Sequence, residues 1–441
     1  MPETGPPEGA LHIINALRGR GHRALLAGGC VRDRAMGRAP TDWDIASGAD
    51  PGEVARLFER TEAVGAKFGV VLVILPDGEY EVAQFRTEEA YLDGRHPSAV
   101  HPAGEEEDAR RRDFSINGMF LDPVEGKIID YVGGQEDIDR RLIRAIGDPA
   151  RRFEEDHLRL LRAVRFAARF DYAIEEETLA AVKKLVPLIR RTSAERVRAE
   201  LTMMLTGPHP ERAFELLRET GLLREVLPEA AEMEGVEQPP QFHPEGDVWT
   251  HVMMVLAQLR DPGPALAWAA LLHDVGKPAT YAVTDRIRFN GHAAAGARIS
   301  EEICERLKIP GETAERIRDI VRDHMKFMNV RKMRESTLKR FLREPHFSEL
   351  LELHRIDCLA SHGNLATRDF CLEKRAGITE EDLRPARILD GHDLAAMGFE
   401  PGPPFGEILR AVEDEQLEGR VRTREAAEAF VNERFGALRS G

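Results

Sequence analysis

Through the first 150 residues, apolar positions come in short runs or in alternation with polar ones. Ala24–Ala27 is a brief apolar run ending at Gly28-Gly29, which reads as a strand turning into a helix. Thr41 to Ser47, TDWDIAS, alternates like a strand. Val70–Leu75 and Glu79–Phe85 flank Pro76-Asp77-Gly78, a hairpin signal, and Ile128–Tyr131 predicts one strand more. From about Phe153 the apolar spacing becomes helical, with Leu158, Leu161, Val164, Phe166 and Ala168 on one face. Glu232 to Asp247, EMEGVEQPPQFHPEGD, has prolines and few large apolar residues and reads as a linker. A second helical block runs from Trp249 to about Glu373, and PGPPFG (Pro401 to Gly406) interrupts the tail behind it. The expectation is an α+β protein: a mixed head over 1–150, a helical neck and body over 151–235, a helical domain over 240–375 and a helical tail over 380–441.

Length agrees with several domains, since 441 residues exceed one ordinary core. Hydrophobic residues at 42% and charged residues at 32% are ordinary for a soluble globular chain. No apolar run approaches the roughly 18 residues of a membrane span. The opening MPETGPPEGALHII lacks the pattern of a secretory signal. Cys30, Cys304, Cys358 and Cys371 are too scattered for a zinc knuckle or a disulfide framework, and reduced thiols in the cytoplasm are expected. A net charge of −15 argues against a uniformly basic coat for nucleic acid. It leaves room for local basic stretches such as Arg110 to Arg112 and Arg190 to Arg198.

The chemistry-bearing residues fall into two constellations. In the first, Gly28-Gly29-Cys30-Val31-Arg32-Asp33 sits at a strand-to-helix turn, where backbone N–H groups can approach a phosphate and Arg32 can add a guanidinium. Asp42 and Asp44 are two residues apart. On a strand they would share a face about 7 Å apart, a geometry suited to two Mg²⁺ ions. A lone DxD is nonspecific; its place just behind GGxxRD sharpens it. Glu81, in the next strand, is a third candidate carboxylate or a plain solvent-facing charge. Arg111 to Asn117, RRDFSIN, offers groups for phosphates and ribose hydroxyls. Asp156 and Arg159 share a helix face at i, i+3. They are either a surface salt bridge or a protein template. An aspartate accepts from the exocyclic amine of cytosine or adenine, an arginine donates to the neighbouring acceptors, and uracil or guanine would set a carbonyl oxygen against the carboxylate.

GGCVRD with TDWD, RRRDFSIN and EEDHLRLLRAVRFAARF, in this order and spacing, resemble the motifs of class II tRNA nucleotidyltransferases and bacterial poly(A) polymerases over nearly the whole chain. The resemblance implies a polymerase-β-like head with an all-α neck, and tRNA, CTP and ATP as partners. Asp42 and Asp44 would be the catalytic carboxylates on Mg²⁺. Gly28, Gly29 and Arg32 would touch the triphosphate, and Arg112, Asp113 and Asn117 would handle ribose and phosphates. Asp156 and Arg159 would pair with the incoming base, with Arg162 nearby. Tyr91 to Val100 resembles the flexible loop that helps such enzymes switch from C to A, although Arg95-His96 stands where relatives often carry two basic residues. The stretch VGAKFGVVLV lacks the paired basic residues of the bacterial poly(A) type. CC-adding and A-adding specialists share the motifs and stay open as alternatives, as does poly(A) synthesis.

The second constellation is His251, His273-Asp274 in ALLHDVGKP, His292, His324 and Asp357. Imidazoles and carboxylates in such a set hold a transition metal such as Ni²⁺, Mn²⁺ or Co²⁺, and the two further histidines leave room for a second ion. Lys277, one turn on, is placed to bind a phosphate oxygen. The series resembles the HD phosphohydrolase superfamily, which implies phosphatase or 2′,3′-cyclic phosphodiesterase activity beside the transferase. A stand-alone phosphohydrolase with an RNA-binding head is the reading from a different class. No membrane and no protein partner are expected.

Overall fold

The computed structural model describes residues 5–63, 69–89, 94, 98–239 and 246–439. Most of the expected switch loop, Arg95-His96 included, and part of VGAKFGVVLV lie outside the described residues. Two compact units emerge: Met1–Ala231 with Arg306–Ile309, and Glu232–Glu305 with Pro310–Gly441.

The first unit opens with a seven-stranded sheet. Edge to edge its strands are Thr61–Ala63, Val70–Leu75, Gly78–Gln84, Ile45–Ser47, Ala24–Ala27, Phe120–Asp122 and Lys127–Ile129. All neighbours are antiparallel except Ile45–Ser47 beside Gly78–Gln84. The hairpin expected at Pro76-Asp77-Gly78 forms in register, with Leu75 opposite Gly78. Leu25, Ala27, Ala46, Phe85, Ala109 and Phe120 make a buried cluster on this sheet, with Phe85 edge-on to Phe120 at 5.7 Å.

Two strand expectations need trimming. The strand expected over Thr41–Ser47 is only Ile45–Ser47, because pairing to Ala24–Leu26 begins at Ile45. Asp42 and Asp44 therefore precede the strand rather than sit on it. The strand expected over Ile128–Tyr131 is Lys127–Ile129. It stops because the Asp130 carboxylate turns the chain, accepting from the N–H groups of Val132 and Gly133 at 3.0 and 2.9 Å.

Helices follow the sheet, as the change of period predicts. One difference matters for the site: the helix expected from Phe153 through Ala168 is two helices, Pro149–Glu155 and Arg159–Phe170, with Asp156 in the extended junction between them. Phe114 is completely buried and meets Phe166 edge-on at 5.8 Å, and Phe166 stacks on Phe170. This row of rings binds the RRRDFSIN segment to the long helix.

In the second unit, Pro264–Leu272 is apolar all round, and every residue from Ala265 to Leu272 is buried, with Trp268 the largest. A small hairpin, Ala282–Val283 with Ile287–Arg288, interrupts the helices. In the tail, PGPPFG begins a helix rather than breaking one. Pro403 and Pro404 open Pro403–Leu417, where a missing N–H costs nothing. Leu389, Leu394, Phe399, Ile408, Val412 and Val431 are among the residues of its own buried cluster. No helix among the described residues is long and apolar enough to cross a membrane. The four cysteines are buried and form no disulfide.

Phe114→Ala is expected to lower the unfolding free energy by about 3–5 kcal/mol, measured as a shift in urea midpoint. A loss below about 1 kcal/mol would show that the ring row does not hold the two segments together.

Candidate active site and metal centre

The chain leaves strand Ala24–Ala27 through Gly28, whose φ of 70° favours glycine. A Cβ at Gly28 would also stand 3.0 Å from a terminal nitrogen of Arg112. The next residues form helix Gly29–Ala35 and deliver Arg32, whose guanidinium donates to Asp33 and to the Asn117 side chain, each at 2.7 Å. The Asn117 amide donates onward to Asp113 Oδ1 at 3.0 Å, and Asp113 Oδ2 accepts from Arg162 Nε at 2.8 Å. Arg162 also faces Glu200 at 3.8 Å, and Glu200 accepts from Arg165 at 2.6 Å. Arg112 is forked onto Asp108 at 3.0 and 3.2 Å and donates to the Asn117 carbonyl. Three motifs far apart in sequence are thus one hydrogen-bonded web.

This web walls a cleft of about 510 Å³. Gly28, Gly29, Arg32, Asp44, Arg112, Asp113, Asn117, Asp156, Arg159 and Arg162 all line it, joined by Arg111, Arg165, Phe166 and Arg169. The volume is that of a small-molecule site, and a wall rich in guanidinium groups suits a polyanion. Asp113 shows how the charges are balanced. Burial alone would push its carboxyl up, but Arg162, the Asn117 hydrogen bond and Arg159 outweigh burial and bring it down to about 2.

Asp44 goes the other way. Burial, the nearby negative charge of Glu81 and that of Asp42 push it up to about 6, with Arg112 only partly offsetting them. The register explains the neighbour: Ile45 pairs with Val82, which sets Asp44 beside Glu81. Asp42 is exposed, does not line the cleft and accepts from its neighbour Thr41 at 3.1 Å. The three carboxylates do not close to within 4.8 Å of one another. Mutually repelling carboxylates with a raised member have an unmet demand for positive charge, so their chemistry fits a divalent cation.

The salt-bridge reading of Asp156 and Arg159 fails. Arg159 donates to Glu155 Oε2 at 3.0 Å and to the carbonyls of Arg152 and Arg111 at 3.1 and 3.2 Å. Asp156 is held by both terminal nitrogens of Arg196, at 3.0 and 2.8 Å, and by the Leu158 N–H at 3.1 Å. Both side chains border the cleft, each tethered by its own partners. Sequence reasoning named the stretch holding Arg196 only as a basic run. Asp108, Glu200, Arg165 and Arg169 carried no signal there beyond their charge.

In the second unit the histidines and aspartates converge. His251 lies in helix Val248–Leu256, His273 ends Pro264–Leu272, His292 opens His292–Arg306, His324 follows Gly311–Asp323 and Asp357 lies in Phe347–Ala360. Gly276 makes this approach feasible: a Cβ there would lie 2.2 Å from the His292 carbonyl oxygen and 2.5 Å from the Gly296 nitrogen. Two sets of ligand atoms each fall within 4.8 Å, His251 with His273 and Asp357, and Asp274 with His292 and His324. Asp274 spans both, with Oδ2 3.3 Å from His273 and Oδ1 3.6 Å from His292.

His273, His292 and His324 each donate Nδ1–H to a backbone carbonyl at 2.7–2.9 Å, which turns Nε2 toward the centre. The buried His273 Nε2 makes no hydrogen bond among the described residues. Burial brings His324 down to about 4 and lowers His292, so both favour the neutral imidazole that ligation needs. Burial raises Asp274 and Asp357, yet Lys277 and His273 beside Asp274, and His251 at 3.1 Å from Asp357, hold both as carboxylates. The donor set therefore fits a divalent metal. Lys277 is buried and its ammonium is held by Asp274 and Gln238, each at 2.6 Å, a tie through Gln238 that the sequence did not reveal.

Comparison with known proteins matches three stretches to described families: residues 24–144 to "Poly A polymerase head domain", 171–234 to "Probable RNA and SrmB- binding site of polymerase A" and 248–361 to "HD domain". The chain is 31% identical to the CCA-adding enzyme of Streptococcus sanguinis over 98% of this chain and 99% of that protein. It is 45% identical to the CCA-adding enzyme of Geobacillus kaustophilus over 49% of this chain and 54% of that one. The solved Bacillus stearothermophilus CCA-adding enzyme in complex with CTP is similar with a TM-score of 0.76 and 28% identity over 97% of each chain.

The depressed Asp113 carboxyl has a consequence for stability. A folded pKa of about 2, against an ordinary value near 3.8, stabilises the fold above pH ~4 and is lost as pH falls through about 2. Asp113→Asn is expected to cost about 2 kcal/mol at pH 7, and the gap from wild type should narrow between pH ~4 and ~2 in urea titrations. A gap that stays constant with pH would contradict this.

Proposed function

This chain belongs to the family of CCA-adding enzymes, and from that premise we propose that it adds C and A to the 3′ end of tRNA from CTP and ATP in the cleft of the first unit. The observation that carries the reading is the web joining Arg32, Asn117, Asp113 and Arg162 along one wall of a nucleotide-sized cleft that also holds Asp44, Asp156 and Arg159. Arg32 and Arg112, with the Gly28-Gly29 turn, bind the triphosphate, and Asp113 and Asn117 orient ribose and phosphates through the same bonds. Asp156 accepts from the exocyclic amine of cytosine or adenine while Arg159 donates to the adjoining acceptors. The RNA 3′-hydroxyl loses its proton to solvent as its oxygen attacks the α-phosphorus in line, a new P–O bond forms, and pyrophosphate leaves with the electrons of the broken P–O bond. Asp42 and Asp44, aided by Glu81, would hold Mg²⁺. When bound there it supplies charge stabilisation at the attacking and leaving oxygens.

The converging imidazoles favour a second activity, an HD phosphatase or 2′,3′-cyclic phosphodiesterase. His251, His273, Asp274 and Asp357 would hold a transition metal such as Ni²⁺, Mn²⁺ or Co²⁺, with His292 and His324 completing a second position on Asp274. Bound metal supplies Lewis acidity for hydrolysis of a phosphate ester. Release of Lys277 from Asp274 would free its ammonium for a phosphate oxygen.

The test is extension of tRNAs ending before CCA, after C and after CC, with CTP, ATP or both, and sequencing of the products. Completion to CCA from all three is expected. Stopping at CC, or adding A only to the CC end, assigns a specialist; long A tails assign poly(A) synthesis; no extension leaves the HD activity alone. Asp42→Ala should abolish every addition, and Arg159→Ala should raise use of UTP and GTP; unchanged selectivity in Arg159→Ala contradicts the protein template. Asp274→Ala should remove phosphodiesterase activity and bound metal with addition intact, and loss of addition as well would contradict two separate sites.

A further inference from the structure

A base-reading carboxylate must point the right way before the base arrives. Asp156 does not sit on a helix: it caps Pro149–Glu155 with φ −139° and ψ 105°, and the next helix begins only at Arg159. Its backbone N–H closes the last turn on the Arg152 carbonyl at 3.4 Å, but that bond does not aim the side chain. Three hydrogen bonds do so, one from the Leu158 N–H and two from the guanidinium of Arg196. Arg196 lies in the first turn of Ala194–Leu205, forty residues further along the chain, and its fork grips both carboxylate oxygens. Oδ1 already accepts two of these bonds, while Oδ2 accepts only one and keeps a lone pair for an amine donor.

The same helix carries a second hold. Glu200 is four residues after Arg196, on the same face, and is almost fully buried. It accepts from Arg165 at 2.6 Å and faces Arg162 at 3.8 Å, on the helix that begins with Arg159. One face of Ala194–Leu205 thus reaches both sides of the base-reading pair: the junction through Arg196, and the arginine helix through Glu200.

We infer that Arg196 is a positioning residue for base selection, which sets the carboxylate of Asp156 against the incoming base while making no contact with the base itself. The inference rests on the reading of Asp156 and Arg159 as the selector. It follows that selectivity belongs to the fork rather than to positive charge alone. A lysine at 196 keeps the charge but grips one point instead of two. Misplacing a selecting group by about 1 Å is enough to cost a large factor.

The experiment measures kcat and KM for CTP, ATP, UTP and GTP on tRNA lacking CCA, in Arg196→Ala, Arg196→Lys, Asp156→Ala and the double variant Asp156→Ala/Arg196→Ala. Arg196→Ala is expected to lower the CTP-over-UTP ratio of kcat/KM by about 10-fold or more. Arg196→Lys should recover only part of that ratio. The double variant should match Asp156→Ala, because a residue that acts only through Asp156 adds nothing once Asp156 is gone. If Arg196→Ala keeps the wild-type ratio while Asp156→Ala loses it, the inference is overturned and the selector stands. If neither Asp156→Ala nor Arg159→Ala changes the ratio, the selector reading falls and takes the inference with it. Should Arg196→Ala not fold, Arg196→Lys decides: a ratio equal to wild type overturns the inference, and a reduced ratio at unchanged Tm supports it.

Discussion

A carboxylate as buried as Asp113 survives as an anion only if the surrounding charges repay its lost hydration. Arg162 on one oxygen and the Asn117 amide on the other do this, and the same two groups are tied in turn to Glu200 and to Arg32. Removing any member strands its neighbours. This requirement, more than any one packing contact, forces RRRDFSIN, the Gly28-Gly29 turn and the long arginine helix to meet at one place. The aromatic row of Phe114, Phe166 and Phe170 fills in behind the charges, and Arg32, Arg162 and Arg165 lie over its rings at 4.2–5.6 Å.

The cleft inherits two properties from this web. Its guanidinium groups are held before any nucleotide enters, so little ordering remains for the ligand to impose. The two side chains proposed to read the base are kept apart, Asp156 by Arg196 and Arg159 by Glu155 and two carbonyls, so neither satisfies the other. A pair that neutralised itself would have nothing to offer a base. The second unit solves a related problem with different means. There the imidazoles are fixed by backbone carbonyls, and Gly276 lets two chain segments close to the distance that one carboxylate, Asp274, can span.

Much of this was legible in the sequence because it depends on local rules. Gly28-Gly29 announces a strand-to-helix turn, Pro76-Asp77-Gly78 a hairpin, and the change of apolar spacing near Phe153 the onset of helices. The motif residues of the head and the HD series were identifiable by type and order. What escaped depends on partners distant in the chain. The junction at Asp156 contains neither proline nor glycine, and EEDHLRLLR reads as unbroken helix; Arg196, forty residues on, accompanies the break. The strand after Asp44 starts late because its paired register with Ala24–Leu26 reaches only to Ile45. The tie of Lys277 to Gln238 needed a loop and a helix to meet. PGPPFG misled because proline stops a helix in its interior yet starts one at its first turn.

On the proposed reading the protein itself, with no nucleic-acid template, distinguishes the bases. Equilibrium binding of CTP, ATP, UTP and GTP to the whole protein without any RNA tests this most directly, because only protein groups are then available to read the base. CTP and ATP should bind more tightly than UTP and GTP, by about 10-fold if one good hydrogen-bonded pair is at work. Equal affinities for all four would contradict the account and place selection in the RNA or in a later step.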